Sequence, residues 1–192
     1  MRFLVVFLVF LLSANVEAKD LQIYFSPSSV CQNKVVEYID KSKKRIDVAV
    51  YAINNDEIVK ALKRAHDRGV KIRILTDRLQ ASNKNSKVRE LYKYGINIRV
   101  HSKFKIEHNK FAIYDDEVVS GGSFNWTNPA THKNSENCLF FIENDEALEE
   151  YQSRFAYLWR INTKKKSDEW FRERVYFHNG NKMLFDNVIV MD

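Results

Sequence analysis

The chain has 192 residues, 45% of them hydrophobic and 13% aromatic, with only 5 Gly and 2 Pro. That composition builds one domain with short appendages around a true core and excludes disordered or collagen-like chains. Lys and Arg number 31 against 25 Asp and Glu, a net charge of +6, which suits an anionic partner such as nucleic acid or a lipid headgroup without demanding one.

The N-terminus reads as a leader. Arg2 precedes an unbroken apolar run from Phe3 to Leu12, and Val16-Glu17-Ala18 places small or aliphatic residues at a cleavage site before Lys19. This is the layout of a secretory signal peptide, and the run is shorter than the ~20 residues of a membrane span. The expectation is a periplasmic or secreted protein, membrane-attached if the segment is kept as an anchor. The expected organisation is a leader over 1–18, a main domain over 19–162 and a basic, aromatic extension over 163–192.

Strand and helix patterns then alternate. Leu21–Phe25 alternates apolar and polar residues and stops at Ser26-Pro27; Ser28 or Ser29 caps a helix running to Lys43. Ile46–Ile53 reads as a buried strand, and Asn55 or Asp56 caps a helix with Ile58, Leu62 and Ala65 inward and Gly69 just past its end. A strand over Val70–Thr76, a polar loop, a helix around Ser86–Tyr94 and a strand over Ile96–Val100 follow. This rhythm predicts an α/β fold with a largely parallel sheet covered by helices. Farther on, Lys110–Tyr114 and Val118–Ser120 flank a tight Asp115-Asp116-Glu117 turn, Cys138–Ile142 is a buried strand, and Asp145–Arg160 is a long helix. Asn179-Gly180 between two apolar triplets signals a hairpin.

The chemistry concentrates in one stretch. His108 and Lys110 lie two apart at a strand start and therefore share a face. A cation beside an imidazole repels a metal and attracts phosphate: Lys110 neutralises the anion, and His108 attacks phosphorus or passes a proton near neutral pH. Gly121-Gly122 permits close backbone approach, Ser123 and Asn125 donate to phosphate oxygens, and Glu136 can hold the second imidazole nitrogen. No carboxylate cluster or zinc-type set accompanies them, so a metal-independent reaction without cofactor is expected.

This constellation resembles the phospholipase D superfamily. The family pattern His-x-Lys, four residues, Asp, six residues, Gly-Ser-x-Asn is matched by His108, Lys110, Asp115, Gly122, Ser123 and Asn125 at every spacing. Phe25-Ser26-Pro27, Val48–Tyr51, Gly69–Arg73 and Asn134–Asn137 look like the small bacterial endonuclease branch, over about residues 21–160. The resemblance implies a phospholipase D-like sandwich, with helices on both faces of its mixed sheet. It implies a phosphohistidine on His108 and a supporting rather than substrate-binding role for Asp115 and Gly122. It also implies a homodimer in which two single motifs meet at a twofold axis.

Between Lys71 and Lys110 there are 11 Lys or Arg and 3 acidic residues. Arg78, Lys84, Lys87, Arg89, Lys103 and Lys105 are candidates for a phosphate track, and His132, near the glycine loop, is a further candidate for substrate contact. His66, His101 and His178 lack such company and read as non-catalytic. The expected function is an exported endonuclease acting on DNA, single-stranded DNA or RNA included. The alternatives are a phospholipid headgroup hydrolase with the same chemistry and a non-catalytic nucleic-acid-binding module. Cys31 and Cys138 are too few for a disulfide-built scaffold, and the sequence leaves open whether they pair or serve as small apolar fillers.

Overall fold

A computed structural model describes residues 20–173 and the backbone of two short strands at 175–178 and 181–184; the leader expected over 1–18 lies outside the described residues. The core is a seven-stranded sheet in the order β1-β7-β6-β5-β2-β3-β4. Its strands are β1 (Asp20–Ser26), β2 (Arg45–Val50), β3 (Lys71–Asp77), β4 (Asn97–His101), β5 (Lys110–Tyr114), β6 (Val118–Gly122) and β7 (Glu136–Ile142).

The α/β class and the mixed sheet agree with expectation, but the balance within the sheet differs. Parallel pairing is confined to β2–β3 and β3–β4, while β1–β7, β7–β6, β6–β5 and β5–β2 are antiparallel. The physical reason is the connection type. Helical crossovers feed β3 and β4, whereas β5 enters on the other side of β2 and turns tightly into β6, and a tight turn forces an antiparallel pair.

The strand pleat sends alternate side chains to two cores. On one face Ile46, Val48, Val50, Ile72, Ile74, Ala112 and Phe140 meet Val35 and Ile39 of α1 (Val30–Lys41) and Ile58 and Leu62 of α2 (Asp56–Asp67). On the other, Ala49, Leu75, Phe111, Ile113 and Val119 lie under Phe155, Leu158 and Trp159 of α6 (Asp145–Ile161). Asn55 caps α2 by accepting the Ile58 N–H, with Asp56 and Glu57 at the positive helix end.

Three helices sit where the sequence reads as loop or tail, the five-residue α5 (Asn128–His132) among them. Asp77 caps the five-residue α3 (Arg78–Ser82) by accepting the N–H groups of Leu79 and Gln80; so short a helix leaves no apolar period. α7 (Lys164–Glu173) returns onto β4, and its Phe171 stacks on Tyr92 at 3.7 Å. Tyr92 belongs to α4 (Val88–Lys93). β8 (Val175–His178) and β9 (Asn181–Leu184) pair antiparallel, and the turn expected at Asn179-Gly180 lies outside the described residues. Cys31 and Cys138 form a disulfide that ties α1 to β7, with Cα atoms 5.9 Å apart. Among the described residues, no helix is long and apolar enough to cross a membrane.

Candidate active site

The antiparallel returns bring several strand ends to one edge of the sheet. β2 ends at Val50, which pairs with Lys110 at the start of β5; β6 ends at Gly122, which pairs with Cys138; β7 begins at Glu136, which pairs with Ser26 at the end of β1. Every residue of the phosphate motif except Asp115 therefore sits at this edge.

His108 is exposed, just before β5. Its ring meets Tyr51 edge-on, with centroids 4.6 Å apart. Lys110 is half-buried; its Nζ donates to the His108 carbonyl at 2.5 Å and lies 5.0 Å from the Tyr51 ring centre. Burial, opposed by Glu136 and Glu107, pulls the Lys110 ammonium down to a pKa of about 8. Tyr51 is fixed in turn: its N–H donates to the Asn109 carbonyl at 2.9 Å, and its hydroxyl accepts from Gln80 Nε2 at 2.8 Å. Tyr51 is the residue that reasoning on the motif missed. An aromatic inside the run Ile46–Ile53 reads as part of a buried strand, and only its place in the stretch Val48–Tyr51 that resembles the endonuclease branch marks it.

Residues 123–126 follow β6 with burial that alternates along the chain. Phe124 and Trp126 are buried, which turns Ser123 and Asn125 the other way. Ser123 Oγ donates to Glu136 Oε2 at 2.5 Å and accepts the Asn137 N–H at 3.1 Å, while Asn137 Oδ1 accepts the Ser123 N–H at 2.8 Å. Glu136, expected on the second imidazole nitrogen, instead bonds Ser123 and, at 3.0 Å, Asn134 Nδ2; its position at the start of β7 sets it opposite the glycine loop. Asn125 Oδ1 is buried with no partner among the described residues.

The glycines serve this packing. Gly122 has φ +124°, and a Cβ there would lie 2.5 Å from the Asn137 carbonyl; a Cβ on Gly121 would lie 2.9 Å from the Tyr151 hydroxyl. The close approach they permit is to the protein's own β7 and α6. Asp115 is a clamp: its carboxylate accepts the N–H groups of Lys43, Lys44 and Arg45 at 2.6, 2.8 and 2.9 Å, from a turn with φ +53° at Asp115 and +64° at Asp116. Burial would raise its pKa, but these donors outweigh burial and hold it below the usual carboxylate value.

Beneath His108 lies a buried polar network. Asp77 Oδ2 accepts the Glu107 N–H at 3.0 Å, and Glu107 Oε1 accepts the Asn109 side chain at 2.5 Å. His101, also buried, accepts the Phe104 N–H at 2.6 Å and faces Asn162 at 3.1 Å through its other nitrogen. Burial lowers the His101 pKa, favouring the neutral ring, so this histidine pins a loop.

The basic candidates divide. Arg78, Lys84, Lys103, Lys105 and His132 are exposed. Arg89 is not: it is 8% exposed, its guanidinium donates to the Phe171 carbonyl at 2.9 Å and lies 4.5 Å from the Trp170 ring centre. It joins α4 to α7, and a phosphate cannot reach it. Lys87 is held between Asp56 at 3.2 Å and Glu90 at 3.3 Å, so its charge is already matched. Among the described residues no group of three or more His, Cys, Asp or Glu is placed to hold a metal.

Residues 35–159 match the family model described as cardiolipin synthase, PLD-like domain. The chain belongs to the phospholipase D superfamily. It is 38% identical over 127 residues to a phospholipase D of Rickettsia conorii, and 30% identical over 135 residues to a mitochondrial cardiolipin hydrolase of Chlamydomonas reinhardtii. These matches cover 66% and 70% of this chain but only 63% and 60% of the two relatives. Among solved structures, a phospholipase D family member from Salmonella typhimurium, Nuc, superposes with TM-score 0.72 and 30% identity, covering 76% of this chain and 97% of that one.

Proposed function

We propose that the protein is a phosphodiesterase whose substrate is nucleic acid, cleaved without a metal through a phosphohistidine on His108. The observation that carries the reading is the pairing of an exposed imidazole with a half-buried ammonium, His108 with Lys110, beside Ser123 and Asn125. His108 attacks phosphorus and the leaving oxygen takes a proton from a second acid; that group then removes a proton from water, whose oxygen displaces the histidine. Lys110 neutralises the non-bridging oxygens throughout, and Ser123 and Asn125 supply hydrogen bonds to them.

One motif provides one His108, so the second acid is the His108 of a twofold-related copy, and the active species is a homodimer with a shared site. Mixing wild-type with His108→Asn protein then yields heterodimers with little or no activity; heterodimers at half the wild-type rate would contradict the shared site. The apolar run Phe3–Leu12 and the cleavage-like Val16-Glu17-Ala18 support export to the periplasm or the outside of the cell, with membrane attachment if the segment is kept.

A second reading, hydrolysis of a phospholipid headgroup, is favoured by an apolar rim. Leu79, Phe104 and Ile106 are 49%, 46% and 46% exposed, close to the basic Arg78, Lys103 and Lys105. Incubation in EDTA with labelled single-stranded DNA and, separately, with anionic phospholipid vesicles decides between the two. DNA cleavage in EDTA is expected. Activity that vanishes in EDTA and returns with added metal would sink the metal-free chemistry, and cleavage of lipid alone would transfer the function to the second reading.

A further inference from the structure

A cleft of about 260 Å³ opens directly from the candidate active site. Its walls include Tyr51, Gln80, Asn83, Asn85, Asn125 and Thr127, with no charged side chain anywhere in the lining. It adjoins the chemistry at two points, since Tyr51 packs on His108 and Asn125 belongs to the motif. We propose that this cleft is a nucleoside subsite that holds the base and sugar next to the scissile phosphate and reads the base edge through amides. The inference rests on the nucleic-acid reading above and deepens it.

The donor and acceptor inventory supports this. Gln80 Nε2 is taken by Tyr51, and Asn83 Oδ1 by the Asn85 N–H at 2.9 Å. The Asn83 amide nitrogen, the whole Asn85 side-chain amide and the buried Asn125 Oδ1 have no hydrogen-bond partner among the described residues. An acceptor out of water and unpaired is costly, and a ligand N–H or O–H relieves that cost. Amides present a donor and an acceptor side by side, the arrangement that matches a base edge. An acyl chain would leave these groups unpaired, and an anionic headgroup would meet no cation in the lining.

The surroundings fit a nucleotide strand. A second groove of about 560 Å³ shares Asn54, Asn85, Ser86 and Pro129 with the cleft and adds Asn128, the cations Lys84 and Lys87 and the carboxylates Asp56 and Glu90. Lys87 is matched by Asp56 and Glu90, which leaves Lys84 as the exposed cation at the far end. The neutral amide-lined cleft thus lies between the phosphate motif, which it touches at Asn125, and the groove that holds Lys84, which it shares at Asn85, an order that suits a nucleoside between two phosphates.

The test compares wild type with Asn85→Ala and Asn85→Asp on a pool of single-stranded oligonucleotides of random sequence, reading cleavage positions and KM. Asn85 is exposed, so neither change threatens folding, and thermal melting verifies this. Wild type is expected to prefer one base beside the cut. Asn85→Ala should flatten that preference and raise KM about tenfold, the lower part of the range for removing a base-reading hydrogen-bond pair, and Asn85→Asp should change which base is preferred. Oligonucleotides cut by all three proteins with the same pattern and KM would overturn the subsite alone. Oligonucleotides left uncut by wild type would overturn the nuclease reading and the subsite with it.

Discussion

Two regions of the molecule carry the residues singled out from sequence, and they behave differently. At the catalytic edge, His108, Lys110, Ser123, Asn125 and Glu136 gather where β5 and β7 begin and β2, β6 and β1 end. On the α4–β4–α7 side, residues chosen only for being basic scatter: Arg89 faces inward against Phe171 and Trp170, and Lys87 is matched by two carboxylates. Fixed spacing along strands carries direction, because the pleat alternates and a tight turn returns the chain beside itself. Abundance of charge carries none, since a helix turns successive side chains by about 100° each.

His108→Asn is expected to abolish turnover, by more than about a thousandfold, with an unchanged melting temperature, because the exposed ring contributes little to the core. A variant that kept a tenth of the wild-type rate would refute the covalent step. Lys110→Ala should cost about 3 kcal/mol of transition-state stabilisation, as the removal of oxyanion donors does. Its pH dependence sharpens the test. The protonated ammonium is the useful form, and burial has brought its pKa down to about 8, so kcat/KM should fall as pH rises through that value. Lys110→Arg should move this alkaline limb upward, and a profile flat to pH 10 would remove Lys110 from the chemistry.

On the other region the expected effects are smaller and fall on stability. Arg89→Ala should lower unfolding free energy by about 2 kcal/mol, measured in urea, because it removes the bond to Phe171 and the cation over the Trp170 ring. An unchanged midpoint would mean that α7 is held without it. The smallest effect concerns salt. Cleavage should weaken with ionic strength, and Lys103→Gln with Lys105→Gln should reduce the slope of log KM against log salt by about 0.7 for each phosphate no longer neutralised, while Lys87→Gln should leave it alone. Equal slopes for all variants would erase the distinction between exposed and matched cations.

Much of the fold was legible because its signals are local. The β2 run, the Asn55 cap and the 115–117 turn each depend on a few neighbouring residues. α3 was not legible because five residues make little more than one turn, and α7 because Lys164-Lys165-Lys166 hide the buried Ser167 and Phe171 that follow. The share of antiparallel pairing was missed because strand order depends on which side of β2 the chain re-enters, a choice made by packing rather than by periodicity. At the site, the motif residues were legible by spacing. The bonding of Glu136 to Ser123 and the bracing of His108 by Tyr51 were not, since both depend on contacts between elements that spacing does not encode.

The link between α1 and β7 has a consequence for the order of events in synthesis. Cys31 and Cys138 are the two cysteines of this chain and lie 107 positions apart. A chain made from its N-terminus has therefore already produced everything from His108 to Asn125 before the second sulfur appears. Within one molecule there is a single way to join them, so no shuffling among wrong partners precedes the right one. The crosslink fastens the helix that follows β1 to the strand that carries Glu136, the one strand that joins β1 to the rest of the sheet.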